Sequence, residues 1–181
     1  MYDHDDPFGN GFACTYYPTS RWPAPVIRQD PIADILFERT GVVNTNGSVA
    51  GLLTIGGKSW PTIERGGGYT FVRKGKYNVK MDIKNTGRKI QCLRFDHDGI
   101  RTHLVHDALN DKHTNLSGCI GPGLVETDTG ISDSIKAMSE IWNALGGFAQ
   151  GTIKTIYVEN NVTGDETGEA WMKRRKAAGK W

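Results

Sequence analysis

The chain lacks any apolar run long enough to cross a bilayer, so no membrane-spanning helix is expected. Cysteine is scarce and odd in number: Cys14, Cys92 and Cys119. The start, Met1 to Pro7, carries three aspartates and no apolar h-region, so no Sec signal peptide is expected. The three thiols are therefore expected reduced, in a host cytoplasm during synthesis, without a disulfide framework. Charge of one sign is missing too. Twenty-two Lys and Arg against 20 Asp and Glu leave a net +2, too little to draw nucleic acid to the whole chain. Proline is nearly absent from the body, because Pro7, Pro18, Pro23, Pro25 and Pro31 all precede residue 34. No Gly-Lys-Ser/Thr follows Gly66-Gly67-Gly68, which excludes a phosphate loop and leaves a flexible turn.

What is present divides into three parts. Residues 1–33 combine the prolines, which block helix and central strand, with Tyr16, Tyr17 and Trp22. They are expected to form either an extended arm lying on its own domain or on a neighbouring subunit of a homo-oligomer, or a disordered leader. Residues 34–160 hold short apolar runs separated by turn signals, the pattern of a mainly β domain. Strands are expected at 32–40, 49–55, 60–64, 69–72, 77–83, 90–95, 100–106 and 152–158, with turns at Asn44-Thr45-Asn46-Gly47 and Asp96-His97-Asp98-Gly99. One packed helix is expected where Ile135, Met138, Ile141, Trp142 and Leu145 recur at helical spacing, started by Ser132 or Asp133 and ended by Gly146-Gly147. Residues 161–181 form a basic C-terminal extension, with Lys173-Arg174-Arg175-Lys176 read as a solvated face.

Chemistry concentrates in one stretch. His106 ends an alternating run, and Cys119 follows thirteen positions later within Ser117-Gly118-Cys119-Ile120-Gly121. A thiol attacks well only as thiolate, so a nucleophilic cysteine needs a base beside it. A loop of this length can return the cysteine to the histidine. Alternation sets His106 on one face with Leu104 and Thr102, and His103 on the other. His106 is the candidate base and Cys119 the nucleophile, with backbone N–H groups around Gly118 as an oxyanion hole. Ser117, His103, Asp107 and His113 are the candidate substrate-binding or orienting groups. Asp107, Asp111 or a backbone carbonyl would serve to hold the imidazole. Against this stands plain packing, since cysteine is among the most buried residues; Cys14 and Cys92 are read that way. No metal and no cofactor is expected, because thiolate ligands to zinc come in pairs that are absent here.

The Ser-Gly-Cys-Ile turn after a strand ending in histidine resembles the core of L,D-transpeptidase (YkuD-type) catalytic domains. It is more similar to a group of phage- and prophage-associated domains of unknown function related to that fold. The shared motifs, in order, are Thr62-Ile63-Glu64-Arg65, Gly75-Lys76-Tyr77-Asn78-Val79, Leu104-Val105-His106, Gly118-Cys119-Ile120 and Ser134-Ile135-Lys136-Ala137, covering roughly residues 50 to 158. Gly121 and Pro122 stand where the transpeptidases carry an arginine after Cys-Ile, and the turn is one residue shorter. The resemblance implies a β-sandwich or barrel with one packed helix and a cysteine acyl-transfer enzyme acting on peptidoglycan stem peptides. The missing signal peptide, the aromatic-proline arm and the absent arginine favour a rival: a virion structural or assembly protein that keeps the fold with an inactive site and joins other virion subunits through its arm.

Overall fold

The computed structural model describes residues 33–85, 87–96, 103–159 and 167–178. All but the last residue of the expected arm lies outside them, as do the expected turn at 97–99 and the start of the strand expected from 100.

Eight strands close into a barrel in the order β1, β10, β4, β5, β6, β7, β3, β2. They are β1 (Ile35–Val43), β2 (Ser48–Ile55), β3 (Lys58–Arg65), β4 (Gly75–Asn85), β5 (Lys89–Asp96), β6 (Leu104–Val105), β7 (Ile120–Pro122) and, last in the chain, β10 (Ile153–Glu159). A separate hairpin, β8 (Val125–Thr127) with β9 (Gly130–Ser132), lies outside the barrel ladder. The mainly β class expected from turn spacing is what the chain adopts. Most neighbours pair antiparallel; β1 with β10 and β6 with β7 run parallel. The segment 69–72, expected as a strand, makes only a single bridge from Thr70 to Thr167.

Period-two alternation sorts each strand. Ile35 and Phe37, Leu53 and Ile55, Val79 and Met81, Leu93 and Phe95, Val105, Ile120, Ile156 and Val158 join one interior cluster. Helix α1 (Ser134–Ala144) adds Ala137, Met138, Ile141 and Trp142 to that cluster. Its N-terminal residue Asp133 has a left-handed backbone (φ 57°) and makes no side-chain cap. The cap comes from elsewhere: the Asp111 carboxylate accepts from the N–H groups of Ser134 (2.9 Å) and Asp133 (3.2 Å). Ile135, expected on the buried face, is instead 57% exposed.

A second helix, α2 (Gly168–Ala177), occupies the segment read as a solvated extension. Lys173, Arg174 and Lys176 do face outward, but the Arg175 guanidinium lies over the Trp171 ring, and Trp171 is 1% exposed and packs edge-on against Phe71, beside Val49. The Gly66-Gly67-Gly68 turn is its platform. Gly67 and Tyr69 carbonyls accept from the N–H groups of Glu169 and Gly168, and a Cβ on Gly168 would lie 2.7 Å from the Gly66 Cα. A Cβ on Gly66 would also lie 2.7 Å from the Gly47 carbonyl oxygen, so Gly66 serves close approach, whereas Gly67 has open space and serves a left-handed backbone (φ +72°). The helices meet opposite ends of β3: α1 accepts the Trp60 indole N–H on Glu140, and α2 abuts Gly66. No helix among the described residues is long and apolar enough to cross a membrane.

Candidate active site

The parallel pair β6–β7 aligns Val105 with Ile120, and both side chains enter the barrel interior. Their neighbours therefore point outward. Leu104 and His106 from β6, and Cys119 beside β7, share the outer face of the sheet. Cys119 belongs to a small outer cluster with Ile63, Cys92, Leu104, Ala108, Leu116 and Ile131. By the β6–β7 register Cys119 lies opposite Leu104, two residues before His106, so His106 and Cys119 are diagonal neighbours on this face.

The tautomer of His106 follows from its contacts. Ring Nδ1 lies 2.7 Å from the Asp107 carbonyl, which can only accept, so Nδ1 carries the proton and donates. Nε2 is then an unprotonated lone pair. It is buried and has no hydrogen-bond partner among the described residues. Burial depresses the His106 pKa, and the positive charges of Lys84 and Arg88 add to that, so the ring is neutral near pH 7. The group that orients the imidazole is thus the Asp107 carbonyl. The Asp107 carboxylate pairs with Arg88 instead, and Asp111 is committed to α1.

Cys119 is 5% exposed and His106 2%. Burial raises the Cys119 thiol pKa, outweighing backbone hydrogen bonds from Leu104 and Ser117 that favour thiolate. At rest the pair is therefore a neutral thiol and a neutral imidazole. The cover is the segment from Ala108 to Leu116, which includes 3-10 turns at Leu109–Asp111 and His113–Asn115. Leu116 presses so close to the strand that a Cβ on Gly121 would lie 2.8 Å from its Cδ1. Ser134 ties the same layer together: its Oγ accepts from Ala108 N–H (2.8 Å) and donates to the Pro122 carbonyl (2.5 Å).

The remaining candidates separate. His103 faces inward, edge-on to Phe95, and its Nδ1–H donates to the Gly118 carbonyl at 2.6 Å. It braces the nucleophile turn from the opposite side of the sheet. Gly118 has φ +77°, the left-handed region that a side chain would strain. Ser117 is exposed at the tip of that turn. His113 sits on the cover beside Arg65, whose guanidinium donates to the Thr114 carbonyl, and nothing brings it to Cys119. Among the described residues, no three His, Cys, Asp or Glu side chains are placed to hold a metal ion.

Two features escaped the sequence reading. Cys92, set aside as a mid-strand residue away from any base, lies opposite His106 one step along the β5–β6 register that pairs Leu93 with Val105. Its thiol donates to the Asp82 carbonyl at 3.4 Å. Alternation through Lys89–Asp96 carries the signal, because it puts Cys92 on the face of Ile90 and Arg94. The second is Glu64, which forms a two-pronged, fully buried ion pair with Arg39 inside the barrel. No family model matches this chain, and neither a curated protein nor a solved structure does.

Proposed function

We propose that the chain is a phage-associated, L,D-transpeptidase-like cysteine acyl-transfer enzyme acting on peptidoglycan stem peptides. One observation carries the acyl-transfer reading: a buried imidazole whose tautomer is fixed and whose free lone pair has no partner shares a sheet face with a cysteine. An unsatisfied buried acceptor costs roughly 1–3 kcal/mol, so its retention points to use. The wall substrate comes from the motif resemblance alone.

The chemistry follows from the neutral resting pair. Cys119 Sγ attacks a peptide carbonyl carbon while its proton passes to His106 Nε2. The resulting imidazolium returns that proton to the departing amine as the C–N bond breaks. Water or a second amine then attacks the thioester, gives its proton to Nε2, and the C–S bond breaks with that proton restoring the thiol. Backbone N–H groups at Gly118 and Cys119 would hold the oxyanion. Substrate reaches the thiol only when the 108–116 cover swings away.

The test is separation and quantification of muropeptides after incubation. Wild type is expected to release or exchange stem-peptide fragments, and Cys119→Ala and His106→Ala each to lose nearly all of that activity, because nucleophile and base act as one unit. Activity surviving in Cys119→Ala would overturn the assignment. The rival reading, a virion assembly protein with a silent site, has its own observation: both side chains are almost wholly buried, Cys119 packed with Ala108 and Leu116. Unchanged muropeptides with wild type, together with the protein's presence in purified particles by mass spectrometry, would favour it.

A further inference from the structure

The tip of the β4–β5 hairpin is bordered by two grooves. One, of about 410 Å³, runs between the hairpin and α1; its walls include Ile90, Ile135, Met138 and Trp142, and Asp107 lies at its end. The other, of about 620 Å³, crosses the polar side of the hairpin past Asp82, Lys84, Arg94 and Gln150. Both include Ile83 and Lys89, so they form one furrow around the tip.

Charge in this furrow is unbalanced. Its two carboxylates are already engaged, Asp82 by Arg94 (2.6 Å) and Asp107 by Arg88. Neither Lys84 nor Lys89 has an ion-pair partner among the described residues. Both ammonium groups line the polar groove, and Lys89 also borders the apolar wall, whose Ile135 stands 57% exposed. An exposed isoleucine beside free lysines suits a ligand that is apolar along its length and anionic at one end. The furrow also leads to the chemistry, because Asp107 directly follows His106 and Lys84 is close enough to act on its charge.

We infer that this furrow is a substrate subsite for a peptide with a free carboxylate, which Lys84 and Lys89 hold while an apolar side chain lies on Ile135 and Trp142. The inference rests on the acyl-transfer reading for its purpose but not for its test. Calorimetry with Cys119→Ala, which removes turnover, would compare an N-acetyl tripeptide containing leucine and ending in a free carboxylate with its C-terminal amide. The acid is expected to bind at least about tenfold tighter than the amide, a preference that high salt reduces. Lys84→Ala with Lys89→Ala should abolish that preference and leave amide binding unchanged. Ile135→Ser should weaken both peptides alike. Equal binding of acid and amide, indifference to the two lysines, or no binding of either peptide at millimolar concentration would overturn the subsite. Binding as expected with no turnover by wild type would sink the acyl-transfer reading alone. Turnover that ignores both lysines would sink the subsite alone.

Discussion

Two buried polar groups in this barrel are treated in opposite ways. Inside, Arg39 meets Glu64 with two prongs, donates to the Val72 carbonyl at 3.0 Å, and is packed between the Phe37 and Phe71 rings. Each of the three guanidinium nitrogens donates a hydrogen bond. On the outer face of the same sheet, His106 is as deeply buried but has one ring nitrogen unanswered. β3 and β7 are adjacent, pairing Glu64 with Ile120, so the two sites are separated by little more than one sheet thickness. A complete network fixes a structure; an incomplete one leaves a base available. A missing partner alone does not mark chemistry, since Thr62 Oγ1 and Trp171 Nε1 are also buried without one; His106 stands apart because its unanswered atom is a base on the face that carries Cys119.

Breaking the satisfied side should have the largest effect. Arg39→Ala strands the Glu64 carboxylate in the interior and should cost roughly 3–5 kcal/mol, read by urea denaturation. Arg39→Met with Glu64→Leu should be milder than the sum of the single changes, because no lone charge remains. If the double change proves additive, the pair is not the coupled unit described here.

Next in size is the connection between cover and helix. Asp111→Ala removes the carboxylate on the α1 N-terminus and should cost about 1 kcal/mol, or a fall of roughly 2–4 °C in thermal midpoint. The same change should speed labelling of Cys119 by iodoacetamide while leaving Cys92 unchanged. In the unaltered protein both thiols should label slowly at neutral pH, since burial raises both pKa values.

Acid sharpens the contrast further. The folded-state pKa of His106 lies below its ordinary value near 6.5. Above about pH 6.5 neither folded nor unfolded chain protonates it, and its contribution is intact. As pH falls below that, the unfolded chain takes up the proton first, so stability declines until the depressed folded pKa is passed. His106→Gln should flatten this part of the stability–pH curve. His113, also depressed by burial, makes His113→Gln the control, with a smaller flattening expected from its greater exposure. The smallest effect belongs to Ile135→Ser, expected within about 0.5 kcal/mol of wild type because the side chain already meets water.

Much of this arrangement was legible in the residues. Alternation alone puts His103 and His106 on opposite faces, and the structure has one bracing Gly118 from inside and the other beside the cysteine cluster. The helical spacing of Met138, Ile141 and Trp142 locates α1, but Ile135 satisfies the same spacing and is exposed. Periodicity gives a face without fixing its edges, and here the first turn buries Ser134 and Ala137 and leaves Ile135 outside that face. Helix α2 was hidden because Trp171 is its one deep anchor and the charges around it outvote a single indole in any pattern. The short strands β7, β8 and β9 carry three residues each, too few for a period to appear. The pairings of Arg39 with Glu64 and of Asp111 with α1 span 25 and 23 residues or nearly so, and nothing local announces them.

The parallel joint between β1 and β10 sets the timing of the whole assembly. Ile35 aligns with Ile156, so the first described strand closes the barrel only against the last. While the chain emerges from a ribosome, β1 can zip to β2 at once, yet its other edge stays open until more than a hundred further residues have followed. An open edge of Ile35, Phe37 and their neighbours is a template for wrong partners. Closure across such a separation also makes folding slow. The barrel is thus completed only after synthesis of its last strand, and until then the β1 edge has no native partner.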